Sequence, residues 1–151
     1  MALSQTLATS FKVEILDGIH NFVTGVVRAT TAADTFKIAL YTSLASLDAS
    51  TTVYTTTAEV TGTGYTAGGN TLTISQVPTA TLNETVAWLN FADSSWPSAT
   101  FSAAGALIYN STQGNKAVAV LDFGGTKTAT NQTFTVTFPA STSSAAIIRI
   151  T

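Results

Sequence analysis

From Gln132 to Phe138 the chain reads QTFTVTF, in which Phe134, Val136 and Phe138 alternate strictly with threonine or glutamine. Successive strand side chains point to opposite faces, so only a β-strand lets this segment bury its aromatics and hydrate its hydroxyls. The same two-residue period recurs through most of the sequence. Thr35 to Thr42, TFKIALYT, sets Phe36, Ile38 and Leu40 against Lys37, Ala39 and Tyr41. Thr71 to Val77 reads as a strand ended by Pro78, and Thr85 to Phe91 as another, followed by an Asp93-Ser-Ser-Trp-Pro turn. Thr100 to Tyr109 and Lys116 to Phe123 flank Asn110 to Asn115, which predicts a hairpin with a loop of about six residues. Gly124 and Gly125 turn the chain toward QTFTVTF, Pro139 closes that strand, and AIIRI from Ala146 to Ile150 supplies a last one. Ser43 to Thr57 and the glycine-rich stretch from Glu59 to Asn70 read as loop.

The N-terminus has a different period. Leu3, Leu7, Phe11, Ile15 and Ile19 recur every fourth residue, the spacing of one helix face. Ser4 suits an N-cap and Gly18 a stop, which predicts a helix over about residues 5–17. About seven to nine short, turn-punctuated strands favour antiparallel pairing over a parallel α/β sheet. The expected fold is therefore mainly β: one domain over residues 1–151, an antiparallel, jelly-roll-like β-sandwich with one N-terminal α-helix.

Composition narrows what such a domain does. Charged residues are 9% of the chain and hydrophobic residues 45%, with a formal net charge of −2. Roughly a fifth of the residues are threonine, far above ordinary usage. A surface this neutral is either solvated by hydroxyls or buried in an assembly. The six Lys and Arg are scattered, which argues against nucleic acid as a partner. No cysteine is present, so disulfides and thiolate metal sites are excluded. The start, Met1-Ala-Leu-Ser-Gln-Thr-Leu, lacks a signal peptide's basic and apolar regions, and no 18-residue apolar run occurs; the expectation is a soluble protein made in a cytoplasm, with no membrane partner.

Residues able to do chemistry are few. His20 is the one histidine, and no Gly-x-Ser-x-Gly elbow accompanies the many serines. Asp34, Asp48, Glu59, Glu84, Asp93 and Asp122 lie far apart in sequence and read as residues that solvate loops or cap turns. Gly62-Thr-Gly-Tyr-Thr-Ala-Gly-Gly69 has the glycines of a phosphate loop, but a strand follows it where a helix is needed. The Asn-x-Thr/Ser sequons at Asn83, Asn110 and Asn131 read as chance matches in a threonine-rich chain. No catalytic residue, metal or cofactor is expected. Candidate contacts for assembly are Leu3, Leu7 and Phe11 on the helix stripe, Tyr65 in the glycine loop, and Trp96. Trp88 and Trp96, which flank a turn, also offer a sugar platform and thus a carbohydrate-binding module, against which stands a core role for Trp88.

Phe36-Lys-Ile-Ala-Leu-Tyr-Thr-Ser43, AEVTGTGYTAGG from Ala58 to Gly69, Ala106-Leu-Ile-Tyr-Asn-Ser111 and Ala117-Val-Ala-Val-Leu-Asp-Phe123 together resemble a family of small virion structural proteins of tailed bacteriophages. The resemblance spans nearly the whole chain, including the AIIRI ending, and rests on the order of its pieces. It implies a non-catalytic subunit of the virion, assembled in the host bacterial cytoplasm, with the major capsid protein or other virion proteins as partners and a homo-oligomeric state. Within such particles the compact chain is similar in kind to head decoration or cement proteins. Tail, neck-adaptor and fibre-associated subunits are the alternative.

Overall fold

The structure, a computed structural model, describes residues 3–8, 11, 15, 19–20, 22, 24, 32–80 and 86–150. Eight strands occur among them: β1 (Thr6–Leu7), β2 (Phe36–Tyr41), β3 (Asn70–Thr71), β4 (Ile74–Ala80), β5 (Ala87–Phe91), β6 (Ser94–Asn110), β7 (Lys116–Val136) and β8 (Ile148–Ile150). They form a five-stranded sheet of order β1-β7-β6-β2-β3 and a three-stranded sheet of order β4-β5-β8. Every pairing is antiparallel. The chain is mainly β, as the two-residue period predicts.

Register explains how the large sheet is covered. Phe36, Ile38 and Leu40 stand opposite Asn110, Ile108 and Ala106, and the last two in turn face Ala119 and Leu121. Because paired residues share a face, these side chains make one apolar surface. Lys37, Ala39 and Tyr41 pair with Tyr109, Leu107 and Gly105 and occupy the other. The small sheet packs on the first surface: the Phe36 and Phe91 rings lie 5.9 Å apart, and Phe22 stacks on Phe36 at 4.3 Å. The second surface is covered by the loop between β2 and β3. Burial on both faces is why β6 and β7 read as continuous apolar runs here, ALIY and AVAVL, and do not alternate.

Four sequence expectations need correction. The predicted helix over 5–17 does not begin at residue 5: Thr6 and Leu7 are extended and pair with Val120 and Ala119, and past Ala8 only Phe11 and Ile15 of that stretch, both helical, fall within the described residues. An edge of β7 that accepts backbone hydrogen bonds outweighs a four-residue apolar spacing that strand and helix can both present; Ala8 N–H continues the pairing to the Val118 carbonyl at 3.2 Å. Pro78 does not end β4. That strand lies at a sheet edge, and its register shifts between Gln76 and Thr79, so the missing N–H of proline leaves no gap in the ladder. The Asp93 to Pro97 turn is instead the start of β6, where a register shift between Trp96 and Ala99 and a left-handed Ser98 (φ 51°) absorb the proline.

Gly124 and Gly125 do not reverse the chain either. Gly105 faces Asp122 while Ala103 faces Lys127, so β7 advances five residues as β6 advances two. The surplus is a bulge, and both glycines have positive φ, 66° and 123°. Their signal for unusual backbone was legible; its outcome, bulge or turn, depended on β6 running alongside to hold the strand in line.

Candidate functional site

Two features outside the plain sheet core are built from polar groups, and the first is a clasp. The β2–β3 loop runs over the second face of the large sheet and carries Glu59, which is buried. Its Oε2 accepts the Tyr54 hydroxyl at 2.6 Å, and its Oε1 accepts both the Tyr65 hydroxyl and the Gly68 N–H at 2.7 Å. Tyr65 oxygen also accepts the Leu40 N–H at 2.9 Å, which joins the loop to β2. Tyr109 on β6 donates to the Gly68 carbonyl at 2.8 Å and stacks on Tyr54 at 4.7 Å. Tyr41 donates to the Thr55 carbonyl at 2.5 Å.

All four tyrosines of the chain thus hold one loop to one sheet. Burial, reinforced by the Glu59 charge, pushes the Tyr41, Tyr54, Tyr65 and Tyr109 hydroxyls above the ordinary phenol range. Gly69 completes the fit. At φ 66° it lies so close to β2 that a Cβ would collide with the Ile38 carbonyl oxygen.

The second feature is a groove of about 390 Å³ beside β7. Its floor is apolar, from Leu121, Phe134, Val136, Phe138 and Ile147, and its rim carries Gln5, Asp122, Phe123, Lys127, Thr135 and Thr137. Phe123 reaches it from within the bulge, and Asp122 and Lys127 from the ladder positions on either side of the bulge. Asp122 Oδ1 accepts the Gly124 N–H at 2.9 Å, which fixes the carboxylate at the bulge entrance.

The residues expected to make assembly contacts occupy different surroundings. Leu3 and Leu7 are half-buried against the chain's own core, and Phe11 is fully buried, edge-on to His20 at 4.7 Å. Trp96 is 2% exposed and lies beside Tyr65, ring centroids 6.2 Å apart. Tyr65 is half-buried, its hydroxyl held inside the clasp. The structure therefore brings Tyr65 and Trp96 together under the loop and leaves Leu3, Leu7 and Phe11 elsewhere. A sugar platform on Trp88 or Trp96 has no open ring face, since both indoles are buried.

Of the acids that sequence spacing left scattered, those among the described residues hold local structure. Asp34 accepts Asn110 and Gln113 side-chain amides, Asp48 accepts the Ser50 amide and hydroxyl, and Asp93 accepts the Phe138 N–H at 2.8 Å. Those Ser50 bonds hold the Asp48 carboxyl below its usual range. Glu84 lies outside the described residues. His20 sits 3.0 Å from the Asn110 amide, at the end of β6. Among the described residues, no three His, Cys, Asp or Glu side chains gather where a metal could be held, and no helix is long and apolar enough to cross a membrane.

Sequence reasoning missed Glu59 as the centre of the clasp and the Asp122, Phe123 and Lys127 rim. A signal for the first was present: four tyrosines, two of them within six residues of a lone glutamate in a loop, are more aromatic hydroxyls than a flexible segment needs. For the second, the two glycines between Asp122 and Lys127 marked the place. No family model matches this chain, and neither a curated protein nor a solved structure does.

Proposed function

We propose that this chain is a non-catalytic structural subunit of a tailed-bacteriophage virion, a β-sandwich that decorates or cements the head by packing against the major capsid protein and its own copies. The observation that carries the reading is the outer face of the β6–β7 hairpin. There Ser95 stands opposite Thr135, Thr100 opposite Thr130 and Ser102 opposite Thr128. The first and last pairs join hydroxyl to hydroxyl at 2.9 and 2.8 Å. Lys127 is the one charged residue from Phe123 to Val136. Hydroxyls already paired to each other lose little on leaving water, whereas a charged surface would lose several kcal/mol per group, roughly. A rigid, neutral, hydroxylated sheet face suits repeated lateral packing, in which many weak contacts add through symmetry.

The reading is tested by mixing purified protein with expanded empty heads of the phage that encodes it. Saturable binding at a lattice-matched stoichiometry supports the decoration role. Label on tails with none on heads moves the subunit to the alternative tail, neck or fibre-associated position, and label on neither removes the virion reading.

A further inference from the structure

We propose that the groove beside β7 is a binding site for a neutral saccharide, with the C–H face of a sugar ring on the Phe123 ring and its hydroxyls on Asp122, Lys127, Gln5 and Thr135. The inference is independent of the particle role above. Three observations carry it. The groove holds about 390 Å³, within the range of small-ligand pockets and enough for roughly one or two pyranose rings.

The bulge that forms its rim has no role in close packing: a Cβ on Gly124 or Gly125 would meet nothing within 4 Å. What the bulge does is release Phe123 from the ladder into the groove and set Asp122 and Lys127, the paired residues on either side of it, at the groove's rim, the use to which bulges next to binding sites are put. Phe123 is half-buried and is backed by the buried Phe134 ring, 6.2 Å away and tilted 45° to it, so Phe123 supplies the aromatic side of the groove.

The third observation is the balance of polar groups. One carboxylate and one ammonium share the rim, which disfavours a ligand with net charge of either sign. Asp122 uses Oδ1 on the Gly124 amide, and its Oδ2 takes no hydrogen bond from the described residues. Carboxylate, ammonium, amide and hydroxyl together provide acceptors, donors and groups that do both, the set that sugar hydroxyls require. The apolar floor then favours a ring with a hydrophobic face over a linear polar ligand.

Backbone amide shifts of the full chain, followed by NMR as glucose, galactose, N-acetylglucosamine and maltose are added separately up to about 50 mM, test the site; this covers the millimolar affinities expected of a shallow sugar groove. At least one sugar is expected to give saturable shifts centred on Asp122, Phe123, Lys127 and Thr135. Asp122→Asn, at the exposed rim, should weaken that binding by about tenfold with an unchanged melting temperature, and Phe123→Ala, half-buried against the core, should weaken it by about tenfold with some fall in melting temperature. Thr112→Ala, in the hairpin loop at the other end of β6, should bind as the parent does. The proposal is overturned by any of three results: no saturable shift with any sugar, shifts centred away from the groove, or unaltered affinity in both rim variants. Free glycine or lysine producing the groove shifts when no sugar does would also overturn it, in favour of a zwitterionic ligand.

Discussion

β6 and β7 pair along almost their whole length, yet the two ends of the hairpin live in different worlds. At the inner end, Gly105–Asn110 and 117–121 are buried throughout, with the small sheet on one face and the tyrosine clasp on the other. At the outer end, Trp96, Ala99, Phe101, Ala129 and Phe134 are buried while the residues between them are mostly exposed Ser, Thr, Asn and Gln. The same two strands are core at one end and surface at the other. Backbone pairing therefore does not set the stability of this molecule by itself; what covers the strands does.

The sharpest break in that comparison comes from volume. Ile108 and Leu107 are fully buried on opposite faces of β6. Ile108→Ala or Leu107→Ala should lower unfolding free energy by about 2–5 kcal/mol, as large-to-small changes in dense cores do. Thr130→Ala, on the exposed outer face of the same hairpin, should stay within about 0.5 kcal/mol. Urea denaturation followed by tryptophan fluorescence measures both, and comparable losses at the two ends would refute the contrast.

The clasp is the next most costly to disturb. Glu59→Ala removes the acceptor for two tyrosine hydroxyls and one backbone amide at once and should cost about 3 kcal/mol, because one buried and two part-buried donors are left without partners. Gly69→Ala should match or exceed that loss, since its strain is in the backbone at φ 66° and cannot be relieved by turning a side chain. Amide exchange should then quicken in the 51–69 loop and the second face of β2, while the pairs from Ser95/Thr135 to Ser102/Thr128 keep the parent's rates.

Alkaline pH perturbs the same region more gently. The clasp tyrosines have hydroxyls raised above their unfolded value of about 10, so the folded state favours their neutral form. A raised group contributes stability that is fully present below the unfolded pKa and is lost as pH climbs past it. The urea midpoint should hold steady from neutral pH to about 9 and fall above about 10. In Tyr65→Phe, which lacks one of these hydroxyls, the fall should be shallower. An equal fall in that variant would show that the clasp is not its origin.

Much of this contrast was legible beforehand. Alternation in TFKIALYT and QTFTVTF placed β2 and the end of β7, and the Asn110 to Asn115 turn placed the hairpin loop, because those signals are local. What local signals left undetermined was anything decided by a neighbouring strand. Leu3, Leu7 and Phe11 fit a helix stripe, but the free edge of β7 took Thr6 and Leu7 into the sheet. Pro78 read as a stop, and the Asp93 to Pro97 stretch and Gly124 with Gly125 as turns, until register shifts let the chain run on. The clasp escaped notice for a related reason: Glu59 and Tyr109 are fifty residues apart in sequence and meet through Gly68 and Tyr54. Sequence therefore located the irregular points of the backbone better than it foretold their consequences.

The smallest stability effect is the one that bears most on function. On the outer face, Ser95 with Thr135 and Ser102 with Thr128 are exposed hydroxyl pairs, and an exposed pair contributes little because water replaces the lost partner. Thr128→Lys or Thr135→Lys should therefore change stability by no more than about 0.5 kcal/mol. If this face packs against neighbours in a lattice, each lysine brings a charge that must be desolvated at every symmetry-related contact, so particle binding should fall steeply while the melting curve does not move. Sedimentation of the variants with empty heads separates the two quantities. Full binding by both lysine variants would place the assembly surface elsewhere on the molecule, with the exposed Leu44 turn after β2 the next region to examine.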